Sequence, residues 1–184
     1  MEFIPTQISD LQILKRSVYV DWRGSFDRIF DANDYLESQS SNQISQINLS
    51  LTKNAGIVRG LHYQLPPHAE TKTVTCLKGS VFDVAVDIRS DSPTFLKWHG
   101  QLLEEGSGLS LVIPPGFAHG FQTLENNCEL LYMHSEFYSF EAEDGIHPSD
   151  PLLGIEWPIA INGMSERDDS LSTIRSGWEG LNIR

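Results

Sequence analysis

Through most of the chain's middle, apolar and polar residues alternate with the two-residue period of β-strands. Val81-Phe82-Asp83-Val84-Ala85-Val86-Asp87-Ile88 is the strongest such run, and Thr71 to Leu77, Phe95 to Leu103, Leu109 to Ile113 and Cys128 to His134 repeat it. Ile44, Ile47, Leu49 and Leu51 keep close to the same period, with one slip of the kind a β-bulge makes. Ile57-Val58 is a short apolar strand leading into Arg59-Gly60-Leu61-His62. Lys78-Gly79-Ser80, Ser92-Pro93-Thr94, the stretch from Glu104 to Gly108, and Pro114-Pro115-Gly116 punctuate the runs as turns. Leu65-Pro66-Pro67-His68 is no central strand, because proline donates no ladder hydrogen bond.

Ahead of these runs, Ile8 to Tyr19 predicts one or two opening strands, Asp21 to Ser25 a turn, and Phe26 to Phe30 more extended chain. Asp31 to Ser40 is the best helix candidate, with Asp31 or Asn33 as cap and Tyr35 and Leu36 as apolar contacts. Its end runs into a polar loop at Ser38 to Ser41. From Glu141 the chain is irregular and rich in Asp, Pro and Ser. Short strands with frequent Gly/Pro turns predict an all-β fold: a sandwich or jelly-roll barrel with a few short helices and an irregular C-terminal part. Without repeats or long linkers, the 184 residues are expected to form one domain, 1–184, with the roll over about 43–140.

Composition narrows the function. Forty per cent apolar and 21% charged residues suit a soluble globular protein. A net charge of −12 argues against a nucleic-acid surface, which needs a basic patch. It leaves room for a phosphorylated small molecule held by a few local cations. Cys76 and Cys128 lie in strand-like apolar stretches and are expected to be core residues, not a disulfide. The N-terminus lacks the pattern of a signal peptide, and no apolar run approaches the roughly 20 residues of a membrane helix, so a cytoplasmic protein is expected.

Several polar residues are unexplained by strand patterning: Arg59 and His62 just after an apolar strand, Lys72 within an alternating one, His119 after Pro-x-Gly, and Tyr132 within Leu130-Leu131-Tyr132-Met133. Singly, each has a plain structural explanation, as a solvated strand residue, a surface ion pair or a satisfied core group. Together, as inward-facing positions of a small barrel, they would form a ligand pocket with few but specific polar groups. A metal site is the first alternative, because Pro114-Pro115-Gly116-Phe117-Ala118-His119 has the later metal-binding pattern of cupins. The earlier pattern fails, since His62-Tyr63-Gln64 offers an amide where a second histidine belongs, and two histidines with an amide make a poor site. No metal is expected.

The order of motifs resembles the dTDP-4-dehydrorhamnose 3,5-epimerase family, from about Asp21 to Asp168. The marks are Asp21-x-Arg23-Gly24, Gln46-x-Asn48-x-Ser50, Val58-Arg59-Gly60-Leu61-His62-Tyr63-Gln64, and Val81 to Arg89 with Ser92-Pro93-Thr94-Phe95. Further on come Ile113-Pro114-x-Gly116-Phe117-Ala118-His119-Gly120-Phe121, Asp150-Pro151, Gly154-Ile155-Glu156-Trp157-Pro158 and Ser165-x-x-Asp168. The resemblance implies a cupin-like jelly roll that epimerises a nucleotide-diphospho-4-keto-6-deoxy sugar at C3 and C5, without cofactor. It implies His62 as base, Asp168 as its carboxylate partner, Lys72 near the enolate oxygen and Tyr132 as the acid on the other face. Arg23, Arg59 and His119 match residues that hold the diphosphate and sugar, and Gln46 and Asn48 match nucleotide or phosphate contacts. Tyr138, Glu143 and Arg167 complete the expected binding residues. Family members are homodimers that exchange a strand, which here would carry Arg23 toward the partner's site. Ser25, Arg28 and Arg167 depart from the family's usual aromatic, Glu and Lys. Epimerisation at C3 alone, a metal-dependent cupin enzyme, and a binding or regulatory protein on the same barrel are the competing readings.

Overall fold

The described residues form thirteen strands and two short helices: β1 (Glu2–Pro5), β2 (Gln12–Lys15), β3 (Val18–Asp21), β4 (Gly24–Asp27), α1 (Ala32–Glu37), β5 (Gln46–Thr52), β6 (Val58–Gln64), β7 (Lys72–Lys78), β8 (Ser80–Asp87), β9 (Trp98–Glu104), β10 (Leu109–Ile113), β11 (Phe117–Thr123), β12 (Cys128–His134), β13 (Glu143–Gly145) and α2 (Glu166–Asp169). The computed structural model describes residues 1–38, 40–41 and 43–183. A six-stranded sheet runs β1-β2-β10-β7-β12-β5, a five-stranded sheet runs β13-β6-β11-β8-β9, and β3 and β4 form a separate hairpin. All pairings between these strands are antiparallel. The two larger sheets face one another as a cupin-like jelly roll.

The two-residue period sorts each strand's side chains. Val74, Cys76, Val81, Ala85, Phe117, Phe121, Cys128 and Leu130 meet between the sheets as the main core. The alternate residues of the five-stranded sheet, including Leu61, Tyr63, Val84, Val86 and Ala118, form a second cluster on its outer face. Ile146, Leu153, Ile155, Trp157, Ile174, Trp178 and Leu181 cover that face. The C-terminal part, expected to be irregular, therefore supplies β13, α2 and the lid of a core layer. Its hydrogen bonds come from particular pairings such as Trp98 Nε1 to the Leu153 carbonyl (2.9 Å) and Ile174 N to Asp150 Oδ2 (2.5 Å), not from a long ladder.

The N-terminal part differs from expectation in three ways. β1 lies outside the expected opening strands and pairs with β2, where Pro5 is tolerated because β1 is an edge strand. The helix is shorter than Asp31 to Ser40: Asp31 Oδ1 caps it at Asn33 N (3.0 Å), and Ser38 closes it with its hydroxyl on the Tyr35 carbonyl (2.8 Å). The remainder of that expected segment includes Gln39, outside the described residues, as is Asn42. Tyr35 is buried over the outer face of the six-stranded sheet, with its hydroxyl donating to Thr73 Oγ1 (3.0 Å), whereas Leu36 is exposed. Third, β5 turns its apolar residues outward: Ile47, Leu49 and Leu51 are 53–63% exposed, while Gln46, Asn48 and Ser50 face inward. Cys76 and Cys128 are buried free thiols.

Candidate active site

Beyond the main core the sheets part around a cavity of about 580 Å³. Arg59, His62, Gln64 and His119 line one wall from β6 and β11, and Gln46, Asn48, Ser50, Lys72, Tyr132 and His134 line the other from β5, β7 and β12. Arg59 and His62 lie inside β6, not after a strand as expected. They are three residues apart, and a strict two-residue period would send them to opposite faces. The ladder avoids this: Arg59 pairs with Phe121 and His62 with His119, so three steps on β6 match two on β11. This is a bulge, and it turns both side chains into the cavity. Gly60 permits it. Its φ is +125°, and a Cβ there would lie 2.5 Å from Gly120 Cα.

Behind the cavity wall, α2 brings Asp168 to His62. Ser165 caps this helix by accepting from Asp168 N (3.0 Å). Asp168 Oδ1 lies 2.7 Å from His62 Nε2, and Oδ2 accepts from Gly60 N (3.3 Å). A carboxylate only accepts, so Nε2 carries the proton and Nδ1 the lone pair. Burial pushes the Asp168 carboxyl up, but the His62 bond and charge, with Gly60 and Ser165, outweigh it and hold the group below the ordinary value of 3.8.

Tyr132 stands on the opposite sheet. Burial first, and then the nearby Asp83 carboxylate, raise its phenol well above the ordinary value, while Ser50 and Arg59 pull less strongly the other way. The phenol therefore stays protonated at neutral pH. Asp83 is wholly buried and sits 2.8 Å from His119 Nε2. Lys72, 9% exposed, reaches Glu70 Oε1 at 3.2 Å and the His62 carbonyl at 3.4 Å. Arg59 has no carboxylate within ion-pair distance among the described residues, and its guanidinium makes one long bond, 3.4 Å, to Thr52 Oγ1. An unneutralised guanidinium at a cavity mouth is an anion site.

At the rim, Tyr138 donates its hydroxyl to Glu143 Oε2 (2.6 Å), and Arg167 Nη2 pairs with that same oxygen (2.7 Å). Arg167 is thus joined to the cavity through Glu143, not in its lining. Arg23 lies apart from this cavity, on the β3–β4 hairpin, with its guanidinium folded onto Asp21 (2.6 Å). Arg28, the unusual charge, pairs with Asp31 (2.9 Å). No group of three or more His, Cys, Asp or Glu side chains among the described residues is arranged to hold a metal ion. The Gln64 amide, in the position of a metal-binding histidine, donates to Glu70 Oε2 (2.9 Å) and the His68 carbonyl (3.0 Å) and accepts from Ser139 N (2.6 Å).

A family model described as dTDP-4-dehydrorhamnose 3,5-epimerase matches residues 5–176. The chain belongs to this family. It is 43% identical over 169 residues to the dTDP-4-dehydrorhamnose 3,5-epimerase of Shigella flexneri, covering 91% of this chain and 93% of that one. It is 36% identical over 182 residues to the dTDP-4-dehydrorhamnose 3-epimerase of Streptomyces niveus, covering 98% and 82%. The crystal structure of dTDP-6-deoxy-D-glucose-3,5-epimerase from Legionella pneumophila in complex with dTDP-4-keto-L-rhamnose superposes with a TM-score of 0.88 at 39% identity, covering 94% of this chain and 92% of that one.

Within this epimerase-family site, three residues escaped the sequence reading: Glu70, His134 and Asp83. Two of them had a usable signal. His134 is two residues after Tyr132, and Glu70 two before Lys72, so a strand period carries each to the cavity side. Asp83 shares its charge with Asp87 in the strongest apolar run, so nothing in the pattern singled it out.

Proposed function

We propose that the protein converts dTDP-4-dehydro-6-deoxyglucose to dTDP-4-dehydrorhamnose, inverting C3 and C5 without a cofactor. The observation that carries this reading is an oriented imidazole, His62 on Asp168, facing a protonated phenol, Tyr132, from opposite sheets of one cavity. The C4 ketone acidifies both neighbouring C–H bonds. His62 Nδ1 takes one of these protons. The C–H electron pair becomes the enolate double bond, and the ketone π pair moves to O4, where the Lys72 ammonium faces the new charge. Tyr132 gives its phenolic proton to the carbon from the other face, and the electron pair returns from oxygen. Water restores the phenol and takes the proton from the imidazolium, so the net change is configuration alone.

Arg59 and His119 hold the diphosphate, Gln46 and Asn48 the nucleotide end, and Tyr138, Glu143 and Arg167 close the rim. Arg23 serves the cavity of a second copy. A homodimer is supported by two exposed apolar surfaces: Tyr19, Val20, Trp22 and Phe26 on the hairpin, and Ile47, Leu49 and Leu51 on the edge strand β5. We place this single-domain enzyme in the cytoplasm, in keeping with a nucleotide-sugar substrate and with the absence, among the described residues, of any helix long and apolar enough to cross a membrane.

The test is incubation with dTDP-4-keto-6-deoxyglucose in deuterated water, read by NMR. Deuterium at both C3 and C5 of an inverted sugar is expected. Label at C3 alone would move the assignment to a 3-epimerase, the reading that the Streptomyces niveus relative favours. No label would overturn the reading.

A further inference from the structure

A single file of hydrogen bonds crosses the cavity wall from the rim to Lys72. Tyr138 N donates to Gln46 Oε1 (3.1 Å), and Gln46 Nε2 donates to Asn48 Oδ1 (3.0 Å). Asn48 Nδ2 meets His134 Nε2 (3.4 Å), and His134 Nδ1 meets Glu70 Oε2 (3.2 Å). The carboxylate at the end can only accept, and the Asn48 amide nitrogen can only donate. With the amide donating at one end and the carboxylate accepting at the other, the His134 Nδ1 proton is directed at Glu70, and every donor in the file points toward Glu70. The other Glu70 oxygen takes the Lys72 ammonium at 3.2 Å.

We infer that Glu70 and His134 are positioning residues that aim the Lys72 ammonium and tie its aim to the Gln46–Asn48 end of the site. The inference rests on the reading above that Lys72 faces the developing enolate oxygen. An ammonium has three N–H bonds in a tetrahedral fan. Two are directed by Glu70 Oε1 and the His62 carbonyl, on either side, which leaves the third for the cavity. Without Glu70, a four-carbon stem with free rotors would spread that proton over many positions. Glu70 in turn is held on its other oxygen by Gln64 Nε2 (2.9 Å) and His134. The His134 ring is held by a stack on Tyr132, with centroids 6.0 Å apart and planes within 16°. Burial pushes the Glu70 carboxyl up, but His134 and Lys72 together outweigh it and keep it anionic below the ordinary 4.5. Glu70 and Lys72 are both at least nine-tenths buried, so solvent does little to relax this arrangement. A group that acts by aim is felt in the transition state, where charge reaches O4, more than in the ground state. A filled nucleotide end would bear on Asn48 and hence on His134, so grip and aim are one network.

The experiment is a double-mutant cycle on the full-length protein, with kcat, KM and melting temperature measured for each variant. Lys72→Met alone is expected to lower kcat by about 10²-fold, the scale of losing one charge-stabilising donor. Glu70→Gln alone is expected to lower kcat about tenfold with KM changed less than about threefold, and to change kcat no further in the Lys72→Met background. His134→Ala, which leaves the Glu70–Lys72 pair in place, is expected to lower kcat severalfold. His134→Asn, which returns an amide donor near the Nδ1 position, is expected to recover part of it. That rescue keeps the proposal testable if Glu70→Gln does not fold. Equal losses from Glu70→Gln in both backgrounds would overturn the positioning role while leaving Lys72 its part in the chemistry. So would a His134→Ala defect that appears only in melting temperature. An unchanged kcat in Lys72→Met would overturn both, because Glu70 would then have nothing to act through.

Discussion

The cavity and the β3–β4 hairpin both carry residues assigned to one substrate, yet they are built in opposite ways. In the cavity, Lys72, His119 and Asp168 are 9%, 6% and 3% exposed, and each has a named polar partner. On the hairpin, Val20 and Trp22 are 76% and 93% exposed, and among the described residues Arg23 pairs with its neighbour Asp21 alone. A buried ionisable group without a partner costs several kcal/mol, so the cavity is organised within one chain. Among the described residues the hairpin pairs with neither larger sheet, and isolated hairpins are marginal in water. The contrast marks the cavity as organised within one chain and the hairpin as the surface on which the proposed second copy would pack.

Four variants and one change of pH test this contrast. The largest effect is expected from His62→Ala, which should lower kcat by about 10²–10⁴-fold while leaving the melting temperature near that of the wild type. A steady-state assay and a thermal melt check this, and activity within a few-fold of wild type would remove His62 from the base role. Next comes the hairpin. Arg23→Ala should raise KM about tenfold with kcat nearly unchanged, as expected for loss of one charge-assisted bond to phosphate. Trp22→Glu should produce the same KM defect by another route, shifting the protein to monomers in light scattering. A monomeric variant with normal KM would separate the hairpin from the site. The smallest effect is on stability against pH. Asp168 and Glu70 are both held below their ordinary values, so each binds protons less readily folded than unfolded. Their stabilisation is complete above the ordinary carboxylate values and is lost as pH falls through the lowered ones. The melting temperature should therefore fall more steeply in acid for the wild type than for Asp168→Asn. Equal slopes would contradict the linkage.

The same two regions divide what could be read in the sequence. The roll was legible because Val81 to Ile88, Leu109 to Ile113 and Cys128 to His134 keep period two with turn residues at their ends, and the ladders follow that pattern. The period alone was misleading at Arg59 and His62, where a bulge overrides it. It also could not say which face of β5 is buried, because polar residues line the cavity and apolar ones face out. β13, α2 and the C-terminal cover went unread as elements because their order comes from isolated long-range bonds. Of the expected site, His62, Lys72, Tyr132, Arg59, His119, Gln46, Asn48, Tyr138 and Glu143 line one cavity, with Asp168 behind His62. The spacing of Glu70 from Lys72 and of His134 from Tyr132 hinted at each singly, but their contact joins residues 64 positions apart and no local pattern shows it.

In the proposed reaction the two faces of the sugar are served separately, with His62 removing the proton and Tyr132 returning one from the other side. Tyr132→Phe in deuterated water tests it directly. With the acid gone and the base intact, the imidazole can only hand a deuteron back to the face it came from. NMR signals of deuterated sugar with its starting configuration are expected, formed faster than inverted product. Inverted product at the wild-type rate, or no exchange at either carbon, would contradict it.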